Sequence, residues 1–232
     1  SGWRLNGRKI WTTYAKQCDF MIGLFRTGTM PEQARNKGLS QFLIDLRLPG
    51  IEIRPIKDLT GEAHFNEITF DDVLLEQDAL IGVENEGWAQ VNAELAFERS
   101  GPDRYLSAFP ALPLAMDHLA DQGVDRLSAR RLGEVFARLS VLREMSLSIL
   151  QQLEQGQTPL QEAAVTKLLG TALEQATPGL IQELLDLPPS LERGNSLSEM
   201  QAYLTQTVPS FSLRGGTNEI MRGIIARGPG LR

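Results

Sequence analysis

The segment FSLRGGTNEIMRGIIAR, residues 211–227, places two adjacent glycines directly before an amphipathic helix. Gly215 and Gly216 can adopt positive φ angles, and neither has a side chain that would keep another molecule away from the backbone. Thr217 can cap a helix whose apolar face contains three isoleucines. The first turn of such a helix presents free N–H groups, which favour an anionic or carbonyl-bearing ligand. Because two glycines before a helix are most often an ordinary turn, the rest of the chain must decide between a turn and a binding site.

Length and composition are typical of a globular protein. The 232 residues, 42% of them hydrophobic, can form one large domain or two small ones with a substantial core. No apolar run approaches the ~20 residues of a membrane span, and no leader is recognisable. Cys18 is the single cysteine, which excludes an intramolecular disulfide and predicts a cytoplasmic location. The net charge of −6 argues against general nucleic-acid binding, which requires a basic face.

Residues 1–86 predict an antiparallel β-domain. Asn6-Gly7 lies between the apolar segments 3–5 and 9–11, and this dipeptide is the strongest short signal for a hairpin turn. Four further segments are rich in β-branched or large apolar residues and are separated by Gly, Pro, Asp or Asn. These predicted strands are 20–25, 39–46, 51–56 and 66–74.

Residues 87–232 predict a helical bundle. Apolar residues recur there at helical spacing, and prolines such as Pro113 and Pro178 are expected to interrupt the helices. The predicted helices are 88–100, 127–152, 160–177, 197–206 and 217–226. A run of strands followed by a run of helices indicates an α+β fold.

Four motifs in the right order give the chain a resemblance to a known family. They are GWRLNGRKIWTT (2–13), GLSQFLIDLRLPGIEIRPIKDLTGEAHFNEITFDDV (38–73), GWAQVNAELAFERSGPDR (87–104) and RGGTNEIMRGIIARG (214–228). Through these four motifs together, the chain resembles the acyl-CoA dehydrogenases over almost its whole length. Family members normally have a helical domain and a flavin-binding loop before the first motif. The resemblance therefore implies an incomplete β-domain, and we expect this chain alone to bind FAD weakly and to turn over no substrate.

The resemblance implies FAD as the cofactor and names its contacts. By position, Trp11 packs near the isoalloxazine ring and Thr13 bonds to it, while Gly216, Thr217 and Glu219 contact FAD from the glycine turn. An aromatic ring supplies a flat apolar wall, and a hydroxyl can donate to the flavin. Without the resemblance, the preferred interpretation of Trp11 is an ordinary half-buried aromatic residue of a strand.

The catalytic base has two possible positions in the family. One branch carries a glutamate immediately before the Gly-Thr pair, where this chain has Gly215. Another branch carries it on a helix at a Glu-Arg pair, where this chain has Glu98-Arg99. At ~100° per residue, Glu98 falls at the edge of the apolar stripe that contains Trp88, which predicts a carboxylate carried towards the buried face. The alternative is that Glu98 only forms a salt bridge with Arg99 or with a neighbouring helix. Glu94, one turn earlier and farther from the stripe, is expected to be a solvated charge.

The resemblance implies that the reaction is the FAD-dependent α,β-dehydrogenation of an acyl-CoA thioester. Glu98 would remove the α-proton, the Gly215 N–H would polarise the thioester carbonyl, and Arg99 would anchor the acidic CoA portion. An electron-transfer flavoprotein would reoxidise the cofactor. Two alternatives remain open, a related oxidase and a catalytically silent partner subunit. With His64 and His118 as the only histidines, a metal site or a Ser-His-Asp triad is disfavoured.

The expected assembly is a dimer or tetramer, homomeric or heteromeric. Exposed apolar pairs usually mark an interface, and such pairs are expected at 149–150, 168–169, 180–181 and 184–185. Many family members also carry an arginine that reaches the FAD of a neighbouring subunit. The nearest aligned position here is Ala129, followed by Arg130 and Arg131, so one of these two arginines is a candidate substitute.

Overall fold

A computed structural model describes residues 2–29, 34–192, 194, 196–228 and 230. Contacts between Cα atoms divide the chain into two compact units, Ser1–Ala93 and Glu94–Arg232. In the described residues, the first unit is built mainly of strands and the second of helices. The predicted α+β class is therefore confirmed.

The described part of the first unit contains two antiparallel sheets of three strands each. The strands are β1 (Trp3–Thr13), β2 (Phe20–Arg26), β3 (Leu39–Asp45), β4 (Ile51–Ile56), β5 (Phe65–Leu75) and β6 (Leu80–Ile81). One sheet has the order β1-β5-β4 and the other has the order β2-β3-β6. The four segments predicted as strands after the first motif are confirmed, and the short strand β6 is additional.

The predicted hairpin at Asn6-Gly7 is wrong. β1 continues through this dipeptide and pairs with β5, with a register shift between Leu5 and Gly7. The Asn6 side-chain amide donates to the Asp72 carboxylate at 2.8 Å, and the Asn6 side-chain oxygen accepts from the Asp72 N–H at 2.9 Å. A dipeptide that tolerates positive φ suits a β-bulge as well as a turn, and pairing with the long strand β5 selects the bulge.

The core of the first unit lies between its two sheets. Phe42 of β3 contacts Trp3 of β1 edge-to-face with ring centroids 5.0 Å apart, and Phe25 of β2 contacts Phe70 of β5 at 5.3 Å. Each of these contacts joins one sheet to the other. The buried members of this core are Leu5, Ala15, Phe42, Ile44, Leu46, Ile68, Phe70, Val73 and Leu75.

The second unit is a helical bundle arranged around one long helix. The helices in the described residues are α1 (Gly87–Ser100), which spans the boundary between the units, α2 (Ala111–Gln122), α3 (Arg126–Glu154), α4 (Leu160–Leu185), α5 (Ser196–Thr207) and α6 (Asn218–Arg227). α4 packs against α2, α3, α5 and α6 and is the central element. Among the helices described, none is both long and apolar enough to span a bilayer.

Two expectations based on prolines are wrong. Residues 111–122 form a helix, because Pro113 lies in its first turn, where a backbone N–H has no intrahelical acceptor. α4 also continues through Pro178 to Leu185. Pro178 has no N–H for the helical hydrogen bond to the preceding turn, but its ring is buried in the bundle, and its own carbonyl accepts a bond of 3.0 Å from Gln201 of α5. Packing in the bundle therefore offsets the local cost of this proline.

The apolar pairs that were expected at an interface, such as 149–150 and 168–169, are only partly exposed. Ile149 and Ile181 are 1% and 0% exposed, whereas Leu150 and Leu169 are 44% and 50% exposed. The expectation that both members of these pairs are exposed is therefore wrong, because successive residues of a helix point ~100° apart. The exposed apolar surface of α3 and α4 is narrower than predicted and includes Val141.

Candidate active site

The Gly215-Gly216 turn lies directly before α6 and has positive φ angles at both glycines. The φ angle is 63° at Gly215 and 105° at Gly216. A Cβ atom on Gly216 would lie 2.9 Å from the terminal methyl carbon of Met221, so a larger residue requires movement there. The Thr217 side chain caps α6 by accepting from the Ile220 N–H at 3.4 Å. The turn and the cap thus agree with the prediction from the sequence.

Buried cations bind the carbonyl groups of this turn. Arg99 is 4% exposed, and its Nε donates to the Gly215 carbonyl at 2.8 Å. Lys167 of α4 is 0% exposed, and its Nζ donates to the carbonyls of Ser212 and Gly216, each at 2.8 Å. Positive charge therefore lies on the carbonyl side of the turn.

The environment of Lys167 disfavours its charged form. The pKa of Lys167 falls from 10.5 to about 8, mainly because the side chain is buried. The positive charges of Arg104, Arg214 and Arg99 act in the same direction, and the carboxylate of Glu219 opposes them. Burial also lowers the pKa of Arg99. Groups with perturbed pKa values concentrate at functional sites, which makes this turn a candidate.

Glu98 lies beside the turn at the end of α1. Its Oε1 is 3.6 Å from the position that a Cβ atom on Gly215 would occupy. Arg104 donates to the same oxygen through a terminal guanidinium nitrogen at 2.5 Å and to the Glu98 main-chain carbonyl through Nε at 3.0 Å. The Glu98 side chain is 46% exposed, whereas that of Arg104 is 6% exposed. A buried guanidinium thus holds an accessible carboxylate next to Gly215.

The prediction that Glu98 points towards the buried face of α1 is wrong. The inward positions near the end of α1 are Ala96 and Arg99, while Trp88 is 40% exposed. Arg99 faces inward because the Gly215 carbonyl supplies a partner for its guanidinium. A polar contact therefore determines which face of this helix packs inward, and the pattern of apolar residues could not predict it. A role of Arg99 in binding CoA stays a prediction.

An ion pair with a buried carboxylate fixes Arg214, the residue before the glycines. The carboxylate of Glu174 on α4 lies 2.7 Å from a guanidinium nitrogen of Arg214 and also accepts from the Ser107 N–H at 2.7 Å. Burial raises the pKa of Glu174, and the charge of Arg214 opposes this shift. The Arg214 guanidinium lies over the ring of Phe211 at 3.9 Å. Both sides of the turn are therefore tied to α4.

Comparison with known proteins assigns the chain to a family. The family model for the acyl-CoA dehydrogenase middle domain matches residues 1–73, and the model for the acyl-CoA dehydrogenase C-terminal domain matches residues 85–229. The chain belongs to the acyl-CoA dehydrogenase family.

Relatives in this family are longer than this chain. The acyl-CoA dehydrogenase FadE34 of Mycobacterium tuberculosis is 30% identical over 97% of the chain, which spans 30% of that protein. The acyl-CoA dehydrogenase IpdE1 of the same organism is 32% identical over 97% of the chain, which spans 58% of that protein. A solved structure of a variant of the Tcur3481-Tcur3483 steroid ACAD matches this chain with a TM-score of 0.85 at 23% identity. The match covers 100% of this chain and 62% of the chain in that structure. At that identity the likeness shows the fold alone.

The acyl-CoA dehydrogenase motif of β1 places two further candidates on the surface of the first unit. Trp11 lies in a second bulge of β1 with a φ angle of 63°, and it is 60% exposed. Its ring contacts Phe65 edge-to-face at 5.9 Å. Thr13, the last residue of β1, is also exposed. Trp11 is therefore more exposed than an ordinary half-buried strand aromatic.

The remaining candidates lie on α6 and α3. Glu219 is exposed in the first turn of α6, and its pKa is lowered by a hydrogen bond from its own backbone N–H and by the Thr217 hydroxyl. Arg130 pairs with Glu134 of the next turn of α3 at 3.1 Å. Arg131 pairs with a carboxylate of α4 at 2.9 Å. Both arginines thus have partners within the second unit.

Sequence reasoning missed the charged residues that face inward from α4. Lys167 and Glu174 are seven residues apart, two helical turns, and share a face with the buried positions Ala163, Gly170 and Thr171. This spacing is the signal that could have identified them. A buried charge requires a partner. Here the partners are carbonyl groups of the glycine turn for Lys167 and the guanidinium of Arg214 for Glu174.

Proposed function

We propose that the protein of which this chain forms a part catalyses the FAD-dependent α,β-dehydrogenation of an acyl-CoA thioester, with Glu98 as the base. The observation that carries this proposal is the 3.6 Å distance between Glu98 Oε1 and the Cβ position of Gly215. The family resemblance offers either of these two positions for the base. In this chain a carboxylate from α1 reaches the place where a side chain at position 215 would begin.

The chemistry requires a base and a donor close together. The α-proton of a thioester is weakly acidic, so its removal needs both a positioned carboxylate and stabilisation of the negative charge that develops on the thioester oxygen. Glu98 supplies the carboxylate, and Arg104 fixes its orientation. The Gly215 N–H is the proposed donor to the oxygen. Arg99 is the proposed contact of the acidic CoA portion.

FAD, when bound, accepts the hydride that leaves the β-carbon. We assign its contacts to Trp11, Thr13, Gly216, Thr217 and Glu219. The exposed ring of Trp11 offers a flat apolar face, which suits a flavin ring. At Gly216, the absence of a side chain leaves room for a close approach to the backbone.

The proposed partners follow from the family. They are an acyl-CoA substrate, an electron-transfer flavoprotein, and further subunits of a dimer or tetramer in the cytoplasm. The name of the Tcur3481-Tcur3483 steroid ACAD joins two components, which supports a heteromeric assembly as an alternative to a homomeric one. The exposed Leu150 and Leu169 supply apolar surface for such contacts.

Anaerobic flavin reduction in the full-length protein tests the proposal. Positioned base catalysis contributes ~10²–10⁴-fold, so Glu98→Gln should slow flavin reduction by that factor while acyl-CoA binding is retained. Glu94→Gln, on the exposed side of the same helix, is the matched control and should change little. Flavin reduction at the parental rate in Glu98→Gln would refute the assignment of the base. Rapid consumption of oxygen by the reduced protein would favour an oxidase, and a correctly assembled complex in which this chain contributes to no flavin site would favour a silent subunit.

A further inference from the structure

Lys167 is a buried ammonium group that the proposed reaction does not use. It is 0% exposed and lies in the middle of α4. Its Nζ donates to the Ser212 and Gly216 carbonyls at 2.8 Å, while Arg99 donates to the Gly215 carbonyl between them. Three carbonyl groups of the segment 212–216 are therefore bound by cations.

A lysine is an expensive residue for this position. A charged group taken out of water loses its hydration, whereas a methionine or leucine of similar size carries no such penalty. The positive charges of Arg99, Arg104 and Arg214 act on the same site and add repulsion. The hydrogen bonds of Lys167 to the turn compensate for this cost, which indicates that the role of the lysine concerns the turn.

We propose that Lys167 is a positioning residue for the Gly215-Gly216 turn. By binding the carbonyls of Ser212 and Gly216, it fixes the backbone on either side of Gly215 and so directs the Gly215 N–H to the substrate. Among the described residues, none accepts a hydrogen bond from that N–H. The catalytic part of this inference rests on the proposed function.

The expected kinetic effect is on the chemical step rather than on binding. The thioester oxygen is uncharged in the bound substrate and becomes negative as the α-proton leaves. A donor held in place beforehand therefore stabilises the transition state more than the ground state. Loss of Lys167 should lower the limiting rate of flavin reduction and leave acyl-CoA affinity nearly unchanged.

Hydrogen exchange of the backbone amides tests the positioning role without any substrate. In the full-length, flavin-loaded protein, Lys167→Met removes two charge-assisted hydrogen bonds from the turn. Exchange of the hydrogen-bonded amides in residues 212–217, which include the Gly216 N–H bonded to the Leu213 carbonyl, should therefore become at least about tenfold faster. Amides of α3 should be unaffected. Thr171→Val is the matched control, because Thr171 is one turn further along α4, is 1% exposed, and has a hydroxyl with no hydrogen-bond partner among the described residues.

Unchanged exchange of residues 212–217 in Lys167→Met would overturn the inference. If Lys167→Met loses protection throughout α3 and is therefore unfolded, Arg99→Met tests the same idea through the Gly215 carbonyl. Faster exchange confined to the turn in Arg99→Met would support the inference, and parental exchange would overturn it. A failure of the proposed function would appear differently, as no flavin reduction in the parental protein with any acyl-CoA.

Discussion

A carboxylate moved from α1 to the glycine turn should restore part of the activity that Glu98→Gln removes. The perturbation is the double substitution Glu98→Gln with Gly215→Glu in the full-length, flavin-loaded protein. Glu98 Oε1 lies 3.6 Å from the ideal Cβ position of Gly215. A glutamate side chain extends beyond its Cβ, so its carboxylate can reach the region that the original carboxylate occupies.

The magnitude follows from the local geometry. The loss in Glu98→Gln is ~10²–10⁴-fold. A non-glycine residue at the Gly215 φ angle of 63° costs ~1–2 kcal/mol, and its Cβ would lie 3.3 Å from Arg99 Cγ, a tight contact. This cost lowers stability without removing the restored base. We therefore expect the double variant to reduce flavin at least ~tenfold faster than Glu98→Gln alone.

Stopped-flow absorbance of the flavin under anaerobic conditions measures this recovery. Glu98→Gln with Gly215→Ala is the matched control, because it introduces the same backbone cost without a carboxylate. Equal rates of flavin reduction in the glutamate and alanine double variants would show that a carboxylate at position 215 cannot take the place of the Glu98 carboxylate. The reasoning from the 3.6 Å distance would then fail.

Urea unfolding of the same protein tests three other contacts. Glu174→Gln removes the buried carboxylate that pairs with the half-buried Arg214 and should cost ~1.5–3 kcal/mol, whereas Glu183→Gln, in an exposed pair, should cost at most ~1 kcal/mol. Equal losses would contradict the role of burial. Ile181→Ala should cost ~2–5 kcal/mol, because Ile181 is 0% exposed, and a loss below 1 kcal/mol would argue against its place in the core. Since the pKa of Lys167 is 10.5 when unfolded and about 8 when folded, its burial penalty is full below pH 8 and disappears as the pH rises to 10.5. The parental protein should therefore gain stability relative to Lys167→Met over this pH range, by at most ~3 kcal/mol, and a constant difference would contradict the shifted pKa.

Hydrophobic periodicity was sufficient for most of the fold. The strands β2 to β5 and the long helix α3 have apolar residues at the spacing that burial on one face demands, and their predicted limits agree with the structure to within a few residues. The capped start of α6 was also predictable, because Thr217 after two glycines combines a capping side chain with a permissive turn. These features depend on short-range chemistry.

The features that sequence reasoning missed depend on partners distant in the chain. Asn6-Gly7 forms a bulge because β5 pairs across it, and α4 continues through Pro178 because the proline is buried against other elements of the bundle. Glu98 is exposed because Arg99 takes the inward position, where the Gly215 carbonyl lies 116 residues further along the chain. Local propensity contains no information about such contacts.

The location of the carboxylate on α1 is consistent with the conformation of the turn. At Gly215 the φ angle is 63°, which a glycine adopts without steric cost and a glutamate does not. The contacts of Lys167 and Arg99 with the neighbouring carbonyls require this backbone path. With the carboxylate on α1, the turn can keep this conformation, and Glu98, the proposed base, is held independently by Arg104. The proposed donor and the proposed base then depend on different elements of the bundle, so each can be altered by mutation while the other remains in place.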